Sequence, residues 1–272
     1  MSFLESIVLG VVQGLTEFLP ISSNAHMRIT AAVFGWSDPG AAFSAVTQIG
    51  TEIAVLLFFR KDIILIVKAF LKGLTGSAYR KGNDWRLALF IIIGSLPIAI
   101  LGLALRDPIE NQFRSLKLIA VSLIVFALVI GVVDRRARET KELTSLTLPD
   151  AIKFGLAQSL ALIPGVSRSG GTIAAGLALG YSRVAAARYS FLLAIPAILG
   201  SGGLELSKIG GAESPSWAPT ILATVIAFGV GYLVIAWLLK FLTTHTFLGF
   251  MIYRVALGSA VFVALGAGVI SS

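Results

Sequence analysis

Three residues near the N-terminus have the types that nucleophilic and acid–base chemistry needs. Glu17, Ser23 and His26 lie in the stretch QGLTEFLPISSNAH, which runs from Gln13 to His26. Gln13 and Glu17 are four apart, so they share one face of a helix. Pro20 ends that helix, and Ser22 or Ser23 offers an oxygen to the orphan amides of the next one. Ser23 and His26, three apart, face the same way on the second helix. The break turns a carboxylate, a hydroxyl and an imidazole toward one point, a set suited to nucleophile, base and orienting group. Simple capping would also account for the Ser-Ser-Asn run, and a bond to a neighbouring carbonyl for His26. Capping suits Ser22 best. Function suits Glu17 and His26, because ionisable groups at membrane depth are costly and mark sites.

A second polar break, PGVSRSGGT, spans Pro164–Thr172. Pro164 and Gly165 stop the incoming helix. Ser167, Ser169 and Thr172 supply hydroxyls, while Gly170 and Gly171 let a ligand approach the backbone. Helix N-termini attract anions, and Arg168 adds a planar fork that matches phosphate oxygens. The stretch reads as a phosphate cradle, but it lacks the Gly-Lys-Ser/Thr ending of a Walker A loop. The alternative is a Gly/Ser hinge with Arg168 snorkelling to an interface. The mid-hairpin position of Arg168 favours anion binding.

The elements that must position these breaks are set by composition. The chain has 272 residues, 56% hydrophobic and 13% charged, with a mean hydropathy of +0.90. Soluble domains carry about 25% charged residues, so lipid is the expected solvent. There is no Cys, which excludes disulfides and thiolate metal sites. The net charge of +8 comes from basic residues clustered between apolar runs, a pattern of membrane orientation and not of nucleic-acid binding. MSFLESIVLG has Glu5 and no Lys or Arg before its apolar run, a poor fit to a signal peptide.

A spanning helix needs about 20 apolar residues. Six segments qualify: Phe43–Phe59, Leu87–Leu105, Leu118–Val133, Ala185–Leu206, Pro219–Leu239 and Leu248–Ile270. Phe3–Phe34 and Ala151–Leu179 are each interrupted by one of the polar breaks, and their halves are too short to span. Unwound backbone at membrane depth survives only inside protein or beside a cavity. Both therefore read as re-entrant helical hairpins. They also align with each other: Gly10 on Gly155, Gln13 on Gln158, Leu15 on Leu160 and, with one gap, Pro20 on Pro164 and Ser23 on Ser167. Paired interruptions in two halves point to a site at a repeat interface. The expected fold is an all-α polytopic membrane domain over 1–272. Its six transmembrane helices and two re-entrant hairpins form an inverted-topology repeat, about 1–133 and 150–272. Basic loops at about 60–86 and 134–150 place those loops in the cytoplasm. Arg106, Arg114, Lys117 and Lys208 mark the weaker, outer side, where both termini and the mouth of the site should lie. KAFLKGLTGSAYRKGNDWR should form an interfacial basic helix and loop.

Other polar residues are less distinctive. Glu52 follows TQIGT in a span and suits either a cavity or a buried hydrogen bond. Arg28, Arg254 and His245 suit interfacial anchoring. Pro97 and Pro196 lie inside spans and should kink them.

The two motifs, in this order and in a chain of this length and hydropathy, resemble the undecaprenyl-pyrophosphate phosphatase family linked to bacitracin resistance. The resemblance covers essentially the whole chain, including the closing YRVALGSAVFV. Many members carry Glu at both positions of the first motif; here they are Gln13 and Glu17, so no carboxylate carries over to position 13. The family's Ser-Ser-Thr-Gly-His is here Ser22, Ser23, Asn24, Ala25 and His26, and Arg168 is in place. The resemblance implies a membrane hydrolase in a bacterial cell membrane that converts undecaprenyl diphosphate to undecaprenyl phosphate and phosphate. It implies a divalent cation, Mg2+ or Ca2+, with Glu17 as the carboxylate available to contact it. Ser23 is then the candidate nucleophile, with Glu17 or His26 as its base, or else a water attacks. Gln13, Ser22, Ser167, Ser169, Gly170 and Thr172 are the candidate substrate-binding residues beside Arg168. The membrane and a long-chain polyprenyl diphosphate are the expected partners, and a homodimer is compatible with the chain. A polyprenyl-phosphate flippase is the rival reading, since inverted repeats are transporter architecture, but a pure carrier has no need of the Glu17, Ser23 and His26 set.

Overall fold

The computed structural model describes residues 1–106, 108–109, 113, 115–209 and 216–271. Arg114, counted above on the weakly basic side, lies outside them. In lipid every backbone N–H and C=O must be satisfied within its own segment, and the apolar runs accordingly form helices. In chain order they are α1 (Phe3–Thr16), α2 (Ser23–Val33), α3 (Gly40–Phe58), α4 (Arg60–Thr75), α5 (Asn83–Ala104), α6 (Leu116–Arg136), α7 (Leu148–Ser159), α8 (Arg168–Ala178), α9 (Arg183–Glu205), α10 (Trp217–Phe241) and α11 (Leu248–Gly266). Among the described residues the only β-type pairing is an isolated bridge between Lys141 and Tyr181.

Among the described residues six helices are long and apolar enough to cross a membrane: α3, α5, α6, α9 with its short extension to Lys208, α10 and α11. They match the six expected spans in order, with ends shifted by a few residues. Their outward faces are apolar. On α6, Val121, Val125, Leu128 and Val132 are exposed while Ile119, Leu123, Ala127 and Ile130 are buried. A helix that is apolar on its exposed face as well as its buried one is the mark of a lipid-facing span. Pro97 and Pro196 are carried inside uninterrupted helices.

The expected interfacial helix begins earlier than the basic run suggested. α4 starts at Arg60, with Phe59 alone between it and the end of α3, because IILIV extends the amphipathic pattern N-terminally. It buries Ile66 and Gly73 and leaves Ile64, Leu65, Val67, Leu71 and Leu74 exposed. Gly73 is required by closeness: a Cβ there would sit 2.1 Å from the Trp85 ring.

The two broken regions are built alike. α1 and α2 have 14 and 11 residues, and α7 and α8 have 12 and 11. At 1.5 Å per residue none reaches the ~30 Å of a bilayer core alone. In each unit a serine held at positive φ opens the second helix, Ser22 at 74° and Ser167 at 75°. A glycine at positive φ follows each second helix, Gly35 and Gly180. Ser22 and Ser167 correspond without the gap that aligning Pro20 with Pro164 requires. This corrects the register: Ser167 is the counterpart of Ser22, and Arg168 is the counterpart of Ser23. α1 packs along α10, and α7 along α5. Both contacts are backbone-close: a Cβ on Gly10 would lie 2.7 Å from the Ala223 carbonyl oxygen, and one on Gly155 2.2 Å from that of Gly94.

Candidate active site

The two breaks meet. Glu17 caps the C-terminal end of α1, and Arg168 and Ser23 each occupy the first residue of their helix. Arg168 Nη2 donates to Glu17 Oε1 at 2.8 Å, an ion pair whose side chains are 10% and 3% exposed. Ser23 Oγ donates to Glu17 Oε2 at 2.6 Å, and Gln13 Nε2 donates to the same oxygen at 2.8 Å. All three partners donate, as an ionised carboxylate requires, and one of its four acceptor sites is left over. The second guanidinium arm, Arg168 Nη1, is buried without a hydrogen-bond partner.

His26 is engaged elsewhere. Nδ1 lies 2.7 Å from the Ser22 carbonyl oxygen, and Nε2 lies 2.8 Å from the Tyr253 hydroxyl, whose ring stacks on the imidazole. A carbonyl can only accept, so Nδ1 carries a proton; in the neutral ring Nε2 then accepts from Tyr253. The expected convergence thus joins Glu17 to Ser23 directly, while His26 braces the turn at Ser22. The same turn explains Ser22. Its side chain makes no capping bond, contrary to the expected role, and its carbonyl is what the helix and His26 use.

The second break divides its residues between cavity and packing. Ser167 Oγ accepts from the Gly170 amide at 3.1 Å and so caps α8. Ser169 Oγ donates to the Leu19 carbonyl at 3.0 Å, tying the two breaks together. Thr172 Oγ1 bonds back to the Arg168 carbonyl and pairs with Ser190 on α9. Gly170 packs on Ile130 of α6. Gly171 faces the Ala157 carbonyl of α7, and Thr172, one turn on from Arg168, is held against α9 by Ser190. Of the residues expected to bind substrate, Ser22 and Ser167 line the cavity, whereas Gln13, Ser169, Gly170 and Thr172 stand behind it.

That cavity has a volume of about 440 Å³. Glu17, Ser23, Asn24 and Arg168 form its polar end, and Ile98, Leu103, Ile119, Leu162 and Ile198 line an apolar side. Arg28, Arg106 and Glu205 also line it. Among the described residues no group of three or more His, Cys, Asp or Glu gathers as a metal site.

Sequence reading missed the residue that holds the centre together. Arg254 of α11 is wholly buried, not at an interface. It donates to Pro20 and Val166 carbonyls from Nη1 at 2.8 and 3.1 Å, to Gly165 from Nη2 at 2.7 Å, and to Leu123 from Nε at 3.2 Å. One guanidinium therefore satisfies the unwound backbone of both breaks and fastens it to α6. The signal was present: Arg254 is the sole charge within the apolar run of α11. His245, by contrast, is exposed at the end of α10, as expected.

Comparison with known proteins bears on this arrangement. The family model described as "Bacitracin resistance protein BacA" matches residues 6–260. The chain is 57% identical to an undecaprenyl-diphosphatase of Nocardioides sp. (strain ATCC BAA-499 / JS614), over 99% of both chains. It is 53% identical to undecaprenyl-diphosphatase 2 of Streptomyces coelicolor, over 100% of this chain and 97% of the relative. It is 52% identical to the undecaprenyl-diphosphatase of Micrococcus luteus, over the full length of both.

Proposed function

The chain belongs to the bacitracin resistance protein BacA family, and we infer that it hydrolyses undecaprenyl diphosphate to undecaprenyl phosphate and inorganic phosphate, recycling the lipid carrier of cell-wall polymers. The observation that carries this reading is the buried Glu17 carboxylate, bonded at once to a serine hydroxyl and to an arginine. A flippase finds no support among the relatives, which are named as diphosphatases.

The substrate is an anion on a long apolar tail, and the cavity has an end for each. The tail lies along the Ile98, Leu103 and Ile198 side, and the diphosphate reaches Arg168. There it replaces Glu17 as the partner of the guanidinium, and the unpartnered Nη1 adds a second donor. With the Gly170 and Gly171 amides already bonded to Ser167, the Arg168 and Ser169 amides at the start of α8 are the ones available to anionic oxygens. Freed of Arg168, Glu17 takes the proton of Ser23 Oγ, to which it is already bonded within general-base distance. Ser23 Oγ attacks the terminal phosphorus, the bridging P–O bond breaks, and undecaprenyl phosphate leaves. Water then attacks the phosphoserine phosphorus, Glu17 returns to Ser23 Oγ the proton it took as that P–O bond breaks, and phosphate leaves with the two protons of the water.

The residues fit a divalent cation: Glu17 retains an acceptor site, and Gln13 Oε1 beside it is buried without a partner. With few protein carboxylates at hand, phosphate oxygens would complete the shell, as is usual for Mg2+. Such a cation, when bound, neutralises phosphate charge and polarises the P–O bonds.

The membrane arrangement follows the same logic. We propose that α1–α2 and α7–α8 are re-entrant hairpins related by an inverted repeat. Support comes from their short helices, their matched positive-φ serines and the equivalent packing of α1 on α10 and α7 on α5. The basic loops at 60–86 and 134–150 favour the cytoplasmic side, so the cavity mouth near Arg106 opens outward and both termini lie outside.

The test is phosphate release from a long-chain polyprenyl diphosphate by purified protein in detergent, with and without Mg2+. Release by the wild type and its loss in Arg168→Ala are expected. No release by the wild type, or equal release by the variant, overturns the reading.

A further inference from the structure

A second carboxylate belongs to this centre and has no role in the steps above. Ala41, Ser44 and Gln48 of α3 line the cavity, and Glu52 follows Gln48 one turn deeper on the same helix face. Glu52 is wholly buried, and neither of its oxygens has a hydrogen-bond partner. The side-chain charges that act on it are those of Arg168 and Glu17. Gln13 Oε1 is likewise buried and unpartnered. Three buried acceptor oxygens, both of Glu52 and Gln13 Oε1, are thus without a hydrogen-bond partner, as is the donor Arg168 Nη1.

Orphan groups in a buried core are costly, carboxylates most of all. Packing does not explain Glu52: an apolar residue of similar size would fill the position without that cost. The imbalance is of one sign, an excess of hard oxygen acceptors. It matches what a hard cation takes from protein, namely one or two carboxylates, an amide oxygen and phosphate oxygens for the rest.

We propose that Glu52 and Glu17, drawn from α3 and α1, are the paired carboxylate ligands of one divalent cation, with the Gln13 amide oxygen as a third. α1 and α3 already touch each other and both pack on α10, and the cation adds a further link between the first hairpin and the first span. This rests on the hydrolase reading only for the remaining ligands, which are oxygens of the diphosphate.

The experiment is Mn2+ binding to purified protein without substrate, followed by electron paramagnetic resonance. Glu52→Gln should weaken binding by about tenfold or more. Gln13→Glu in the Glu52→Gln background should restore most of it, by returning a carboxylate to the centre from α1. Gln13→Glu alone, which leaves Glu52 in place, should tighten binding. Thermal unfolding gives an independent readout: Mn2+ raises the wild-type midpoint by linkage, and this rise disappears in Glu52→Gln while its cation-free midpoint is unchanged or higher. Equal Mn2+ affinity in the wild type and Glu52→Gln overturns this inference alone. Absence of Mn2+ binding by the wild type overturns the cation requirement as well, and phosphate release by the same preparation separates that outcome from failure of the hydrolase reading.

Discussion

At the residue scale, the chemistry turns on what Glu17 touches. A carboxylate that accepts from Ser23, Gln13 and Arg168 can hold a nucleophile and release it when a more anionic ligand takes the arginine. Glu17→Gln keeps the shape but removes the base, and should lower phosphate release by about 10²- to 10⁴-fold. Ser23→Ala should abolish turnover through a phosphoserine, and trapping of phosphate on Ser23 in the wild type is the direct check. Full activity in Ser23→Ala would instead make water the nucleophile. His26, bonded to Ser22 and Tyr253, acts on the backbone turn that presents Ser23.

At the element scale, the breaks are stable because something satisfies their unwound backbone. Arg254 does so for Pro20, Gly165 and Val166 together. Arg254→Met would fill the volume but leave those carbonyls bare, each costing about 1–3 kcal/mol. A lower thermal midpoint and a loss of monodisperse protein in detergent should follow, along with lost activity. The close approach of α7 to α5 sets a second requirement. Gly155→Val would drive its side chain into the Gly94 carbonyl, an overpacking cost of about 1–3 kcal/mol or more, seen again as a lower midpoint. Val at Gly203, where a Cβ meets nothing within 4 Å, is the control and should leave the midpoint nearly unchanged.

At the scale of the whole molecule, the cavities report sidedness. The cavity that holds Glu17, Ser23 and Arg168 lies between the C-terminal parts of α5 and α9. A second cavity of about 390 Å³, lined by Asp62, Arg86 and Arg188, lies between their N-terminal parts. The two therefore belong to opposite ends of the same two helices. The absence of native Cys makes the orientation directly measurable. A Cys at Asn83 should react with an impermeant maleimide only after the cytoplasmic face is opened, and a Cys at Ser216 should react from outside. The reverse pattern would invert the topology and turn the mouth near Arg106 inward.

The sequence by itself determined the elements and the ingredients. Apolar runs long enough to span lipid must become helices, because the bilayer offers their backbone no other partner, and all six spans were legible that way. Polar breaks in apolar segments were legible, for the same reason, as places where unwound backbone must be satisfied inside the protein. Tertiary structure decided which ingredients touch. Glu17 and Arg168 are far apart in sequence, and only the meeting of α1 with α8 makes them an ion pair. Arg168 lines the cavity while Ser169 is tied to the Leu19 carbonyl and Thr172 to Ser190, which spacing alone could not tell. The pairing of Ser22 with Ser167 needed backbone angles, since Pro20 and Pro164 suggest a different register. Arg254 and Glu52 looked like ordinary membrane charges in the chain. Their roles come from what surrounds them: five backbone carbonyl contacts for one, and no hydrogen-bond partner at all for the other.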